Sequence, residues 1–137
     1  MIELNGLNYW AIIVAWIINC GVGGFWYSPA GFAKQWKKYT GIDIMKIPQD
    51  EATRALGAVM ASGLVQAITL AVLLNSLGST TVKDGLVAGL LIWLGLVTAT
   101  TVGVTLYARR SWGFLWLNSS YFLLVMAVNS VILAVWR

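Results

Sequence analysis

The stretch from Gly85 to Tyr107 reads GLVAGLLIWLGLVTATTVGVTLY and contains no charged side chain and no proline. Roughly 20 apolar residues suffice for a helix to cross about 30 Å of hydrocarbon, and this run is longer than that. Three more runs of the same kind lie on either side of it: Asn8 to Tyr27, Arg54 to Asn75, and Gly113 to Trp136. No Asp, Glu, Lys, Arg or His falls in their interiors. The pattern predicts an all-α integral membrane bundle of four transmembrane helices, at about 8–27, 54–75, 85–107 and 113–136, in a single domain spanning 1–137.

Composition agrees. Of the 137 residues, 59% are hydrophobic and only 10% are charged, with a mean hydropathy of +0.78. An average soluble domain has about a quarter of its residues charged, so a water-soluble surface cannot be built from this chain. Lipid removes the need for a polar exterior.

Nine Lys and Arg against five Asp and Glu give a net charge of +4. The basic residues flank apolar runs, an arrangement suited to anionic lipid headgroups, and no phosphate-binding or base-stacking motif accompanies them. Nucleic acid is therefore not expected as a partner. The single cysteine, Cys20, lies inside the first apolar run, where a small packing residue is its simplest role. The amino-terminal MIELNGLN has no basic residue, and the run after it ends in GGFWYSP. That is not a small-x-small cleavage site, so the first run is expected to stay as a membrane helix.

Orientation follows from the positive charges. Lys34, Lys37, Lys38, Lys46, Arg54, Arg109 and Arg110 lie on one side, and only Lys83 and Arg137 on the other. The bias places the basic side in the cytoplasm and both termini on the non-cytoplasmic face of the membrane. Tyr9, Trp10 and Trp136 on one side, and Trp26, Tyr27, Trp36, Tyr107 and Trp112 on the other, are placed as interfacial belts. Trp16 and Trp93 sit deeper, where an indole N–H needs a partner, so they are expected to face other helices.

The connection from Ser28 to Glu51 is the only long one. Ser28 as cap and Pro29 at the first position predict a short interfacial helix over Ala30 to Tyr39. Phe32, Trp36 and Tyr39 then share one face, toward lipid or the bundle, while Lys34, Lys37 and Lys38 point to headgroups. Asp50 and Glu51 ahead of the second span, a capping box from Thr81 to Asp84, and Gly78 between spans two and three mark further helix ends.

Small residues recur every four positions: Ala11, Ala15, Asn19 and Gly23 in the first span, Gly85 with Gly89, and Gly95 with Ala99 and Gly103 in the third. Such stripes let backbones approach closely, and contact between the first and third spans is the simplest use for them. The third span has two stripes displaced around its axis. One suits a contact within the chain and the other a homodimer. Matches at an offset of 80, Val22, Gly23, Tyr27 and Trp36 with Val102, Gly103, Tyr107 and Trp116, fit a duplicated two-helix hairpin.

Uncharged polar side chains lie along the spans: Asn19, Gln66, Thr98, Thr101, Asn118 and Asn129 are the candidates for a polar site inside the bundle. Interhelical hydrogen bonding is the plainer role, at about 0.6 kcal/mol per pair. The chain has no His, and no two carboxylates are placed as an acid and base pair or a metal site. Catalytic residues, metal sites and cofactors are therefore not expected.

Gly23 to Trp36, GGFWYSPAGFAKQW, then Gly89 to Thr101, GLLIWLGLVTATT, and Ser111 to Tyr121, SWGFLWLNSSY, resemble in order a family of small bacterial membrane proteins catalogued as domain of unknown function 1761. The resemblance covers nearly the whole chain and implies a four-helix membrane protein. It implies no activity and no catalytic residues. Two functional readings follow: a small binding or transport module for a neutral or weakly polar solute, or a non-transporting structural or accessory protein that binds anionic lipid or a larger membrane partner. A cavity reaching Asn19, Gln66 and Thr98 would favour the first, and a dry bundle with an aromatic groove on its basic face the second.

Overall fold

Each long apolar run is a helix in the computed structural model, which describes residues 1–137. Helix α1 spans Tyr9–Trp26, α2 Ala33–Thr40, α3 Gln49–Ser76, α4 Val82–Tyr107 and α5 Trp112–Val135, with a 3-10 turn at Ile44–Lys46. Helices α1, α3, α4 and α5 are long and apolar enough to cross a membrane. The chain is thus an all-α bundle of four transmembrane helices with a short helix between the first two.

Local chemistry sets the ends. Helix α3 begins five residues before Arg54, after Pro48, and carries Asp50 and Glu51 in its first turn, where their charge complements the unpaired N–H groups. Its end at Ser76 is closed by Gly78, whose φ of +67° lets the Ser79 N–H reach back to the Leu74 carbonyl at 3.0 Å. Thr81 and Asp84 then form the capping box of α4, each side chain accepting from the other's backbone N–H at 3.1 and 3.3 Å.

Helix α5 is the centre of the bundle and packs on α1, α3 and α4. The expected pairing of the first and third spans is not among the main contacts: α1 packs chiefly on α3 and α5, and α4 chiefly on α5. Ala11 and Ala15 are buried at 1% and 0% exposure, so the small-residue stripe of α1 lets α3 and α5 approach instead. They join Ala67, Leu70, Leu74, Met126 and Leu133 in the apolar core.

The two stripes of α4 meet different surroundings. A Cβ on Gly89 would lie 2.6 Å from Ser130 Oγ, and one on Gly85 2.6 Å from the Ser130 carbonyl, so α5 fills this stripe. Gly95 and Gly103 have nothing within 4 Å of a Cβ, and Ala99 is exposed between them. Between the stripes, Trp93–Thr98 is wound as a π-helix. In an α-helix, positions five apart point about 140° apart. The wider π turn closes that angle, and Trp93 and Thr98 both reach Ser119 of α5.

At the end that carries the termini, Asn75 holds the Asn5 carbonyl at 2.9 Å, and the Arg137 guanidinium donates to the carbonyls of Ser79 and Leu74. The matches at an offset of 80 do not occupy equivalent places. Gly23 lies under the Tyr121 hydroxyl and Tyr27 is half-buried, whereas Gly103 faces open space and Tyr107 is 93% exposed.

Candidate functional site at the basic end of the bundle

The six polar side chains singled out from the sequence do not converge. Asn19 donates to Gln66 Oε1 at 2.8 Å and accepts from the Tyr121 hydroxyl at 2.5 Å, tying α1 to α3 and α5. Gly63 makes room for this pair, since a Cβ there would lie 3.2 Å from Asn19 Nδ2. Thr98 bonds Ser119 Oγ at 2.7 Å, and Thr101 donates to the Val97 and Thr98 carbonyls of its own helix. Asn118 accepts from Tyr27 at 2.6 Å near the basic end. Asn129 is 1% exposed, and its Oδ1, like the neighbouring Ser130 Oγ, has no hydrogen-bond partner. Four of the six are spent on other side chains, as lipid demands of polar groups within it. Trp16 and Trp93 behave alike, donating to the Met60 and Ser119 carbonyls at 2.8 and 2.7 Å.

An open surface exists at the other candidate region. The sequence places the start of the short helix at Ala30, capped by Ser28; the chain instead turns tightly through Ser28–Phe32, and α2 starts at Ala33. The Ser28 hydroxyl donates backward to the Phe25 carbonyl at 2.7 Å, which removes it as a cap. Phe32 N–H bonds the Trp26 carbonyl at 2.7 Å, and Gly31 sits so close to the Phe25 carbonyl that no side chain fits. The turn folds α2 back against the start of α5.

Phe32, Trp36 and Tyr39 face the bundle, and Lys34, Lys37 and Lys38 are exposed. Trp36 packs at 5.3 Å on Tyr27 and 5.2 Å on Phe114, and the Tyr39 ring lies directly on the backbone of Gly113. Trp26 stacks on Phe32 at 4.5 Å. The indole N–H of Trp36 is buried there without an acceptor.

Beside this aromatic cluster runs an open groove of about 450 Å³. Phe32, just before α2, and Gln35 and Tyr39 of α2 form one wall with Trp26 at its end. The other wall is the start of α5, where Gly113, Trp116, Leu117 and Ser120 face it. Of these residues only Phe32 was among the site candidates read from the sequence. Gln35, Trp116 and Ser120 form a surface only once α2 folds back on α5, and no spacing within one helix signals that.

Charge at this end is largely uncompensated. Lys37 pairs with Asp43 at 3.2 Å, the single ion pair of the structure. The Lys37 ammonium and the Met45 N–H hold the Asp43 carboxyl below the usual carboxylate range. Lys38 lies 5.9 Å over the Tyr39 ring, and Arg110 5.9 Å over Phe114 with a bond to the Thr40 carbonyl at 3.4 Å.

The family model described as "Protein of unknown function (DUF1761)" matches residues 10–134 of the chain. No curated protein and no solved structure matches it.

Proposed function

The chain belongs to the DUF1761 family of proteins of unknown function, and we propose that it is a non-transporting membrane protein whose basic end binds anionic lipid on the cytoplasmic side. The observation that carries this reading is the set of Lys and Arg at that end, of which only Lys37 has a carboxylate within ion-pair distance. Cations held at a bilayer surface without internal partners find them in anionic headgroups, at about 1 kcal/mol each. The solute-binding alternative rests on polar side chains gathered at mid-bilayer. Asn19, Gln66, Thr98 and Asn118 are instead engaged with other side chains, which supports a structural role for them.

Self-association belongs to the same reading. Gly95, Ala99 and Gly103 form an outward stripe that α5 does not fill, and in lipid a second backbone is what makes such a stripe useful. A homodimer through α4 fits it.

The test of lipid binding is thermal unfolding of the purified protein in mild detergent with added phosphatidylglycerol or phosphatidylcholine. A ligand that binds only the folded state at about 100 times its Kd adds roughly 2.7 kcal/mol of stability. Phosphatidylglycerol should raise Tm, phosphatidylcholine should do so far less, and added salt should erase the difference. Equal shifts with the two lipids would remove the basis of the proposal.

A further inference from the structure

We infer that the groove between α2 and α5 is a site for one anionic phospholipid, with an acyl chain against Trp26, Phe32 and Trp116 and the phosphate at Lys34 and Lys38. The inference rests on the anionic-lipid reading above and locates it. A volume of about 450 Å³ falls within the roughly 300–1,000 Å³ of small-molecule sites. The walls are mostly apolar: Trp26, Phe32, Trp116 and Leu117 offer surface for an acyl chain, Gln35 adds polar atoms at the α2 wall, and Ser120 lies about one turn deeper along α5 than Trp116.

Charge complementarity decides the headgroup. Lys34 and Lys38 are four residues apart, so they share one edge of α2, and that edge adjoins Gln35 on the groove wall. Neither has a carboxylate partner. Lys38 also lies over the ring of Tyr39, a groove residue. Lys37 lies on the side of Lys34 away from Gln35 and is bound to Asp43. Lys38 lies nearest the groove, beside Gln35 and Tyr39, with Lys34 next to it at the rim, and a phosphate with no net positive headgroup fits these two ammonium groups better than a zwitterion.

The site is fixed by the fold of the turn before it. Gly31 presses against the end of α1, and Tyr39 presses on Gly113, so α2 is tied to α1 at its start and to α5 at its end. A groove with such fixed walls retains one lipid through delipidation, whereas lipids on an open helix face exchange.

Native mass spectrometry of the detergent-purified protein, with dioleoylphosphatidylglycerol and dioleoylphosphatidylcholine as probes, tests this. The wild type should retain one phosphatidylglycerol per chain, with several-fold preference over phosphatidylcholine. Ser120→Trp and Gln35→Trp fill the groove from opposite walls at exposed positions, and each should lower the retained lipid about tenfold. The Lys34→Gln/Lys38→Gln double variant should keep a bound lipid but lose the preference, while Lys37→Gln should change little. Two groove variants let the outcome be read from whichever keeps the wild-type circular dichroism. A folded filled-groove variant that retains phosphatidylglycerol as the wild type does overturns the site and leaves anionic binding elsewhere on the basic end intact. No preference for phosphatidylglycerol in the wild type overturns the site and the broader reading together.

Discussion

The Tyr121 hydroxyl donates to the Asn19 side-chain oxygen across 2.5 Å, and Asn19 passes the contact on to Gln66 at 2.8 Å, so three of the four membrane helices meet through one asparagine. Asn19→Ala would leave Gln66 without its partner and the Tyr121 hydroxyl with only the Asn19 backbone carbonyl at 3.3 Å, at a cost of about 1–3 kcal/mol. Steric-trap or thermal unfolding should show that loss. A double-mutant cycle of Asn19→Ala with Tyr121→Phe should show strong coupling. Ser130→Ala should behave oppositely, because the Ser130 Oγ has no partner to abandon; its stability should be unchanged or slightly higher.

Gly89→Ala and Gly103→Ala make the same chemical change on one helix with different consequences. At Gly89 the new methyl would meet Ser130 Oγ at 2.6 Å and the Met126 carbonyl at 2.8 Å, and overpacking of this kind costs about 1–3 kcal/mol. At Gly103 it meets nothing within 4 Å, and a gain of up to about 1 kcal/mol is expected from better helix propensity. Gly103→Leu should leave the folded monomer intact and reduce cross-linking between copies in bilayers. Undiminished cross-linking would exclude α4 from any dimer contact.

The Lys37–Asp43 pair makes the basic end responsive to acid. Lys37 depresses the folded-state pKa of Asp43, so the contribution of this pair is present above the ordinary carboxylate value and is lost as pH falls through the depressed one. Protonation frees Lys37 for headgroups. Asp43→Asn should mimic this at neutral pH and strengthen phosphatidylglycerol binding modestly. In that background Lys37→Gln should weaken binding, which it should not do in the wild type; titrating both variants with phosphatidylglycerol vesicles decides it.

Orientation is open to a labelling experiment in a Cys20→Ala background. With the termini outside, a cysteine at Asn5 should react with an impermeant thiol reagent on intact cells, and one at Gln49 should not. Preferential reaction at Gln49 would invert the assignment.

The four spans were legible in the sequence because lipid permits only closed backbone hydrogen bonding, which makes a long uncharged run such as Gly85 to Tyr107 decisive. The capping box at Thr81 and the turn at Gly78 were equally legible, since each acts within a few residues. The partners of the stripes were not. Which helix fills Gly85 and Gly89 depends on where α5 lies, and a four-residue spacing is silent on that. The polar candidates failed as a cluster for the same reason: periodicity puts Asn118 and Asn129 near one face, but Asn118 is bonded to Tyr27 and Asn129 is buried without such a bond. The start of α2 was misplaced because Ser28-Pro29 reads as a cap, whereas Gly31 and Phe32 spend their backbone against the end of α1.

The central claim is that the bundle is polar but closed at mid-bilayer and open to anionic lipid at its basic end. A crystal structure grown from a lipidic mesophase doped with phosphatidylglycerol addresses both halves at once. Direct Tyr121–Asn19–Gln66 contacts with no water chain between them, and a lipid phosphate within hydrogen-bonding distance of Lys34 or Lys38, are the expected result. A continuous file of water through Asn19, Gln66 and Thr98, with the groove beside α2 free of lipid, would contradict the account.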